Sequence, residues 1–224
     1  MALPQPVRQQ LFTEAEFVAF VDSPEARRGD TRAWEFVPTG PRTTTGAPLG
    51  VIRAMATGTL DHAALIQNIG TALDTALRGR RCRTVGPSLT VHCPSGRDTV
   101  PDVQVFCGPP VYHEVGGRMR RDIITNPLVV VEVLSESTVG EDRGDKWVAY
   151  QALPSLREYV LVDSRRRRVE IYHRTDEDSD WRYALHQAVE DALLLPSLGV
   201  TLSLAEIYRD IAFEEQPSQA EEDE

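Results

Sequence analysis

Apolar and polar positions follow a helical period in the first part of the chain and mainly strand periods in the second. Over Thr59–Arg78 the apolar residues recur three or four positions apart, which predicts an amphipathic helix. They are Leu65, Ile66, Ile69, Leu73 and Leu77. The continuous Val-rich run Leu128–Leu134 is typical of a strand buried on both faces. A further helix is predicted over Asp142–Leu153, where Pro154 ends it.

Shorter segments complete the prediction. Thr13–Glu16, followed by Phe17, indicates a short capped helix, and the Thr-, Gly- and Pro-rich stretch Pro38–Pro48 indicates a loop. The other predicted elements are strands at Trp34–Val37, Val51–Ala56, Leu89–Cys93, Val103–Val105, Tyr159–Val162, Val169–Tyr172 and Trp181–Leu185, a strand-and-turn region at Leu193–Leu204 and a terminal helix at Leu204–Tyr208. This order favours an α/β fold with a mixed central sheet flanked by helices.

The length of 224 residues and a hydrophobic content of 41% suffice for one domain with a substantial core. We expect a single domain over residues 11–210, with flexible tails at residues 1–10 and 214–224. No apolar run approaches the roughly 18 residues that a membrane span needs. Met1–Gln10 is polar and holds two prolines, unlike a signal peptide, so we expect a cytoplasmic protein without a membrane partner.

The three cysteines, Cys82, Cys93 and Cys107, are odd in number and widely spaced. This pattern argues against a disulfide framework and predicts reduced thiols. A structural zinc site needs paired ligands at short spacing. Only the His92-Cys93 pair approaches that spacing, and it lies in a strand-like stretch, so structural zinc is not expected.

The formal net charge of −10 counts against broad, tight binding of nucleic acid, which usually requires a basic surface. Six of the acids and no base lie after residue 213, which leaves a net charge of −4 for the rest of the chain. An enzyme that recruits divalent cations also needs local acidity, because the metal then supplies the positive charge at a phosphate.

One carboxylate occupies an unusual position. Glu132 lies inside the apolar strand Val129–Leu134, and Asp102 opens another predicted strand about thirty residues earlier. A buried carboxylate is costly unless it has a partner. The sequence is consistent with two kinds of partner for Glu132: a divalent cation shared with Asp102, or a structural salt bridge. Mg²⁺ suits the first interpretation, since it takes few protein carboxylates together with water and phosphate oxygens.

The same region resembles the Uma2 family of restriction endonucleases. The residues that carry the resemblance are Pro101-Asp102, Val131–Thr138, Asp142, Lys146, Tyr150 and Arg157–Asp163. Matching segments elsewhere are Phe12-Thr13, Glu16-Phe17, Trp34–Val37, His62, Leu195–Val200 and Leu204–Tyr208, so the resemblance covers most of the chain. It implies a restriction-endonuclease-like fold of the PD-(D/E)xK nuclease superfamily.

The resemblance also implies roles for individual residues. Asp102 and Glu132 correspond to the metal-binding acids, and the backbone carbonyl of Val133 to a further ligand. The usual lysine position, two residues after the second acid, holds Leu134, and Lys146 on the following helix corresponds to the displaced lysine. Glu35 corresponds to an early glutamate that completes the site.

Two further residues are candidate accessory groups. His62 stands at the start of a predicted helix, and Tyr150 lies one helical turn after Lys146, on the same face.

The implied reaction is hydrolysis of DNA phosphodiester bonds with Mg²⁺ or Mn²⁺ as the cofactor. Lys146, next to two acids, is expected to stay charged and to act electrostatically. A homodimer is expected, since two sites would cut two strands. Two alternatives stay open: a non-catalytic binding or regulatory protein that keeps the fold, and a hydrolase of small phosphoesters.

Two arginine clusters allow both a functional and a structural interpretation. Arg165–Arg168 could bind phosphate, or these residues could form a solvated hairpin turn. Arg118, Arg120 and Arg121 follow Gly116-Gly117 in a segment predicted to be a flexible loop, where contact with DNA is possible.

Overall fold

The computed structural model describes residues 10–23, 26, 34–54, 59–136 and 138–213. Its helices are α1 (Glu14–Val21), α2 (Leu60–Ala76), α3 (Val139–Arg143), α4 (Asp145–Gln151) and α5 (Leu204–Ile207). Its strands are β1 (Phe12–Thr13), β2 (Trp34–Arg42), β3 (Pro48–Ala54), β4 (Cys82–Val85), β5 (Thr90–His92), β6 (Asp98–Thr99), β7 (Val103–Cys107), β8 (Tyr112–Val115), β9 (Arg118–Ile124), β10 (Val129–Leu134), β11 (Glu158–Asp163), β12 (Val169–His173), β13 (Arg182–His186), β14 (Ala192–Leu195) and β15 (Val200–Ser203).

Within the described residues, six strands form a mixed sheet in the order β13-β12-β11-β10-β7-β4. The two central strands, β10 and β11, run parallel, and their neighbours run antiparallel. Every residue of β10 and β11 is buried, as their nearly continuous apolar sequences require. The mixed α/β architecture predicted from the sequence is therefore confirmed.

Alternate residues of this sheet enter two different cores. On one face, Val129, Val131 and Val133 of β10 share a core with the apolar stripe of α2. That stripe consists of Leu65, Ile69, Leu73 and Leu77, as the helical period predicted. The amphipathic helix predicted from the sequence is therefore confirmed, and it covers one face of the sheet.

The opposite face of the sheet packs against α4. Val130 and Leu134 of β10 lie in a core with Ala149, Tyr150 and Leu153. Because side chains alternate along a strand, Glu132 points to this same face.

A second sheet has the order β1-β3-β2-β6-β5-β9-β8 in the described residues. Its longest paired strands are β2 and β3. The loop predicted over Pro38–Pro48 is therefore wrong at both ends, because β2 continues to Arg42 and β3 begins at Pro48. The turn between them is short, and Gly46 has a φ of 86°, which favours glycine. The exposed residues of this ribbon lack apolar alternation, so no local pattern indicates its length. Positions 55 and 56 of the strand predicted over Val51–Ala56 lie outside the described residues.

The segment Arg118–Ile124 is also a strand rather than the predicted flexible loop. It pairs antiparallel with β8 across Gly116-Gly117, and both glycines have positive φ. Arg118 and Arg121 are exposed on this strand, whereas Arg120 is held by Asp22 and Asp122. Ile123 and Ile124 are buried and anchor its end.

The helix predicted over Asp142–Leu153 is divided into α3 and α4 at Gly144. The φ and ψ of Gly144 are −107° and −101°, outside the helical region. A Cβ atom there would lie 2.9 Å from the carbonyl oxygen of Gly140, so the close approach of the two helices requires glycine.

Two helix starts follow the sequence closely. Thr13 and Glu16 form a reciprocal capping box at α1, as predicted. The side chain of Thr59 caps α2 by accepting a hydrogen bond from the backbone N–H of His62. None of the helices in the described part of the chain has both the length and the apolar character that crossing a bilayer requires.

The prediction of three reduced thiols is wrong for two of the cysteines. Cys82 of β4 and Cys107 of β7 are direct partners in the sheet and form a disulfide. Their pairing depends on strand register, which cysteine spacing alone does not reveal. Cys93 is free and buried. The expectation of one domain over residues 11–210 stays a prediction, and residues 1–9 and 214–224 of the expected tails lie outside the described residues.

We expect the air-oxidised protein, unfolded without reductant, to take up one alkylating label per chain, and three after reduction. The disulfide closes a loop with a sequence separation of 25, so reduction should lower the free energy of unfolding by about 3 kcal/mol. Mass spectrometry and urea denaturation measure the two effects. Three labels before reduction would contradict the disulfide.

Candidate active site

The candidate site forms where the α4 face of the six-stranded sheet meets the second sheet. β10 supplies Glu132, β2 supplies Glu35, and Asp102 immediately precedes β7. Lys146 and Tyr150 come from α4 and lie one helical turn apart. The structure thus brings residues from four separate segments to one buried region.

The ammonium group of Lys146 is the centre of this region. It lies 3.2 Å from Glu132 Oε1, 3.0 Å from Asp142 Oδ1 and 3.7 Å from Glu35 Oε1. The side chain of Lys146 is 6% exposed and that of Glu132 is 2% exposed. A lysine this buried requires carboxylate partners, and it has three.

Tyr150 holds the other side of Glu132. Its hydroxyl group lies 2.9 Å from Glu132 Oε1 and 2.8 Å from the hydroxyl of Thr99. Tyr150 is fully buried, so these contacts satisfy a polar group that water does not reach. Tyr150 and Lys146 therefore fix the same carboxylate oxygen from adjacent turns of one helix.

Asp102 is held next to the strand that carries Glu132. Its Oδ2 accepts a hydrogen bond of 2.8 Å from the backbone N–H of Val133. Its Oδ1 lies 3.5 Å from Nε2 of His62, at the start of α2. The metal-ligand role predicted for the Val133 carbonyl stays a prediction.

Glu35 lies between Lys146 and Arg97 at the edge of the region. Its Oε1 accepts a hydrogen bond of 3.2 Å from the backbone N–H of Val100. Its Oε2 lies 3.9 Å from the guanidinium of Arg97. Glu141 pairs with both Arg97 and Arg53. A series of ion pairs therefore extends from the buried Glu35 to Arg53 at the surface.

Burial and like charge dominate the electrostatics. Desolvation raises the pKa of Glu132 well above its usual value, and the charges of Asp142, Asp102 and Glu35 raise it further, although Lys146 opposes them. Burial lowers the pKa of Lys146, but the surrounding carboxylates outweigh this and raise the pKa well above its usual value. The site therefore keeps its lysine charged and favours additional positive charge near Glu132.

The donor set fits a hard divalent cation. The carboxylates of Glu35, Glu132 and Asp142 surround one ammonium group, and Asp102 lies near enough to Glu132 to raise its pKa. Mg²⁺ needs only one or two such carboxylates, with water completing its shell. In the described residues, no three His, Cys, Asp or Glu side chains of this site have ligand atoms within 4.8 Å of one another. A cation held by Asp102 and Glu132 would therefore take further ligands from water or backbone, and the Val133 carbonyl is a candidate.

Buried polar atoms at the edge also lack partners. Among the described residues, Nδ1 of His62 and Nε of Arg97 accept or donate no hydrogen bond. Such atoms next to a charged site are suited to water or to a bound ligand.

The structure brings together all the residues predicted from the sequence, namely Asp102, Glu132, Lys146, Glu35, His62, Val133 and Tyr150. Their catalytic and metal-binding roles stay predictions. No sequence pattern indicated a role for Asp142, Thr99 or Arg97, which also contact this group. Composition offers one further signal for Lys146. It is the only lysine in the sequence, and all the remaining residues counted as Lys or Arg are arginines.

The arginines of the β11–β12 turn contact acids of their own hairpin. Arg165 and Arg166 lie 3.4 and 3.1 Å from the carboxylate of Asp163, and Arg168 lies 2.9 Å from Glu170. These pairs favour the interpretation as a hairpin turn.

The mixed six-stranded sheet and its flanking helices define a mixed α/β protein. The model of the Uma2 family, described as "Putative restriction endonuclease", matches residues 30–205. The chain belongs to the Uma2 family.

Relatives support this assignment. Uncharacterized protein slr1290 of Synechocystis sp. (strain ATCC 27184 / PCC 6803 / Kazusa) is 36% identical over 165 residues, which are 73% of this chain and 83% of the relative. Uncharacterized protein sll1609 of the same organism is 37% identical over 81 residues, 36% of this chain and 43% of the relative.

A solved structure has the same fold. It is described as a putative nuclease belonging to DUF820 from Anabaena variabilis ATCC 29413. The TM-score is 0.62 at 16% identity, over 88% of this chain and 97% of the other. At this identity the likeness shows the fold alone, and it confirms the nuclease-like architecture.

We expect Glu132→Gln to raise the melting temperature in EDTA at neutral pH by about 2–4 °C. The pKa of Glu132 is raised in the folded state. The free energy of unfolding therefore decreases as the pH rises from the usual range of a glutamate toward that raised pKa. Glutamine removes that charge, and Lys146 keeps Asp142 and Glu35 as partners.

Mg²⁺ should then raise the melting temperature of the unmodified chain more than that of the variant. Glu190→Gln, at an exposed position, is the matched control and should behave like the unmodified chain. A variant less stable than the unmodified chain in EDTA would contradict the electrostatic account.

Proposed function

We propose that this protein is a metal-dependent endonuclease that hydrolyses DNA phosphodiester bonds. The observation that carries the proposal is the buried contact of Lys146 with Glu132, next to Asp102 and Glu35. A purely structural ion pair would need one acid for one lysine, whereas this lysine has several acids around it. Membership of the Uma2 family supports nuclease activity, and the DNA substrate and the metal belong to the proposal.

Asp102 and Glu132 would hold Mg²⁺ or Mn²⁺, with the Val133 carbonyl as a further ligand. A bound divalent ion lowers the pKa of a water molecule and offsets charge on a phosphate. The hydrogen bond from the Val133 backbone N–H fixes Asp102, while Tyr150 and Lys146 fix Glu132. These contacts restrict the carboxylate rotamers before any ligand arrives.

Lys146 acts as a fixed positive charge in this proposal. Its raised pKa keeps it protonated at neutral pH, so it is a poor general base. An ammonium group beside the phosphate would stabilise the negative charge that develops during hydrolysis. Glu35 and Asp142 hold the amine in place from two directions.

Arg53 is suited to contact the DNA backbone at the edge of the site, because its side chain is about half exposed and pairs with Glu141. A phosphate oxygen could replace Glu141 as the acceptor for this guanidinium group. Arg97 pairs with the same carboxylate from the buried side. We also propose a homodimer, in which two such sites would cut the two strands of a duplex.

The test is cleavage of supercoiled plasmid DNA with Mg²⁺ or Mn²⁺. The unmodified chain should produce nicked or linear DNA, and EDTA should abolish the reaction. Asp102→Asn, Glu132→Gln and Lys146→Met should each reduce the rate by at least about 100-fold, because the first two remove metal ligands and the third removes the positive charge beside the phosphate.

Glu190→Gln is the matched control and should cleave at the unmodified rate, since Glu190 is exposed. Circular dichroism verifies that each variant is folded. DNA binding without cleavage under any divalent ion would contradict the proposal and favour a binding protein. Turnover of an aryl phosphate ester with plasmid left intact would also contradict it and favour a small-phosphoester hydrolase.

A further inference from the structure

A second group of metal-ligand side chains lies on the seven-stranded sheet. It comprises Glu14 of α1, His92 of β5 and His113 of β8. One ligand atom from each residue lies within 4.8 Å of the other two. Glu14 Oε1 is 3.2 Å from Nδ1 of His92 and 2.8 Å from Nε2 of His113. The three side chains are half-buried, so an ion could reach them from solvent.

Asp98 supports His92 from the adjacent strand. Its Oδ1 is 2.7 Å from Nδ1 of His92, and the two residues are partners in the β5–β6 register. Asp98 is fully buried, and its Oδ2 has no hydrogen-bond partner among the described residues. A fully buried carboxylate beside this cluster adds negative charge that favours a cation at the two histidines.

This group is separate from the candidate nuclease site. Asp98 belongs to it, whereas the next residue, Thr99, contacts Tyr150 of the nuclease site. Neighbouring side chains of a strand point to opposite faces. Strand β6 therefore lies between the two sites and contributes one residue to each.

The donor chemistry differs as well. Two imidazoles and a carboxylate suit Zn²⁺ and similar transition-metal ions, whereas Mg²⁺ prefers oxygen donors alone. Glu14 and Asp98 both face Nδ1 of His92, so two carboxylates lie next to one position that a cation could occupy. We propose that Glu14, His92 and His113 form a zinc site in which the ion replaces the proton between Nδ1 of His92 and Asp98, and Asp98 supplies a second negative charge next to the ion.

The geometry requires only small adjustments. Zinc bonds of about 2.0–2.2 Å place tetrahedral donors about 3.3–3.5 Å apart, so the contacts of 2.8 and 3.2 Å must widen slightly. The imidazole rings of His92 and His113 stack with centroids 3.6 Å apart, and they must tilt so that both nitrogens face one ion. Three protein ligands leave a fourth position for water.

The bound ion would fasten the start of α1 to strands β5 and β8. Glu14 begins that helix, while the histidines belong to strands that are not adjacent to β1 in the sheet. A cation that joins three such segments stabilises the folded chain by mass action. The site thus predicts a zinc-dependent increase in stability that does not involve the nuclease residues.

The test uses full-length protein without a histidine tag, stripped with EDTA and transferred to chelator-free buffer. Calorimetric titration with ZnCl₂ should show a zinc-binding event of about one ion per chain that persists when Asp102→Asn and Glu132→Gln are combined. His113→Gln and Glu14→Gln should abolish that event, and Asp98→Asn should weaken it by about 10-fold. His173→Gln, on β12, is the matched control and should leave it unchanged.

The melting temperature provides a second readout. Zn²⁺ should raise it for the unmodified chain and for His173→Gln, but not for His113→Gln. Circular dichroism in EDTA verifies that His113→Gln is folded, and Glu14→Gln replaces it if it is not. No zinc binding, or equal affinity in His113→Gln, Glu14→Gln and the unmodified chain, would overturn the proposal. Loss of zinc binding only in the Asp102→Asn, Glu132→Gln chain would assign the ion to the nuclease site instead.

Discussion

The contact between Lys146 and Glu132 in the interior is the constraint on which the rest of this structure depends. Two charged groups removed from water are stable only if further polar groups surround them. Tyr150 provides a hydroxyl for Glu132, and Asp142 and Glu35 provide carboxylates for Lys146. Each of these partners comes from an element whose position the remaining fold determines.

The helix break at Gly144 preserves one of these contacts. It separates α3 from α4, yet Asp142 and Lys146 still lie 3.0 Å apart across it. The parallel pairing of β10 with β11 buries Glu132 on the face toward α4. Because burial excludes water there, the excess of carboxylates around one amine creates a strong preference for added positive charge.

The sequence predicted much of this architecture because its strongest patterns reflect burial. The Val-rich strand around Glu132, the amphipathic helix α2 and the capping box at Thr13 follow from local periodicity and local hydrogen bonding. The long β2–β3 ribbon and the Cys82–Cys107 disulfide depend on strand pairing, which a local pattern does not encode. Pairing of distant segments also explains why the short-spacing criterion for zinc missed the cluster that His92 forms with Glu14 and His113.

The most direct test of the nuclease site uses the single lysine of the sequence. Labelling with ¹³C at the lysine ε carbon should give one side-chain NMR signal, that of Lys146, in a His113→Gln chain that keeps the other cluster from binding metal. If Asp102 and Glu132 hold the ion beside this amine, Mn²⁺ should broaden the signal strongly, and Asp102→Asn should prevent the broadening. A signal that stays sharp at saturating Mn²⁺ would contradict the account.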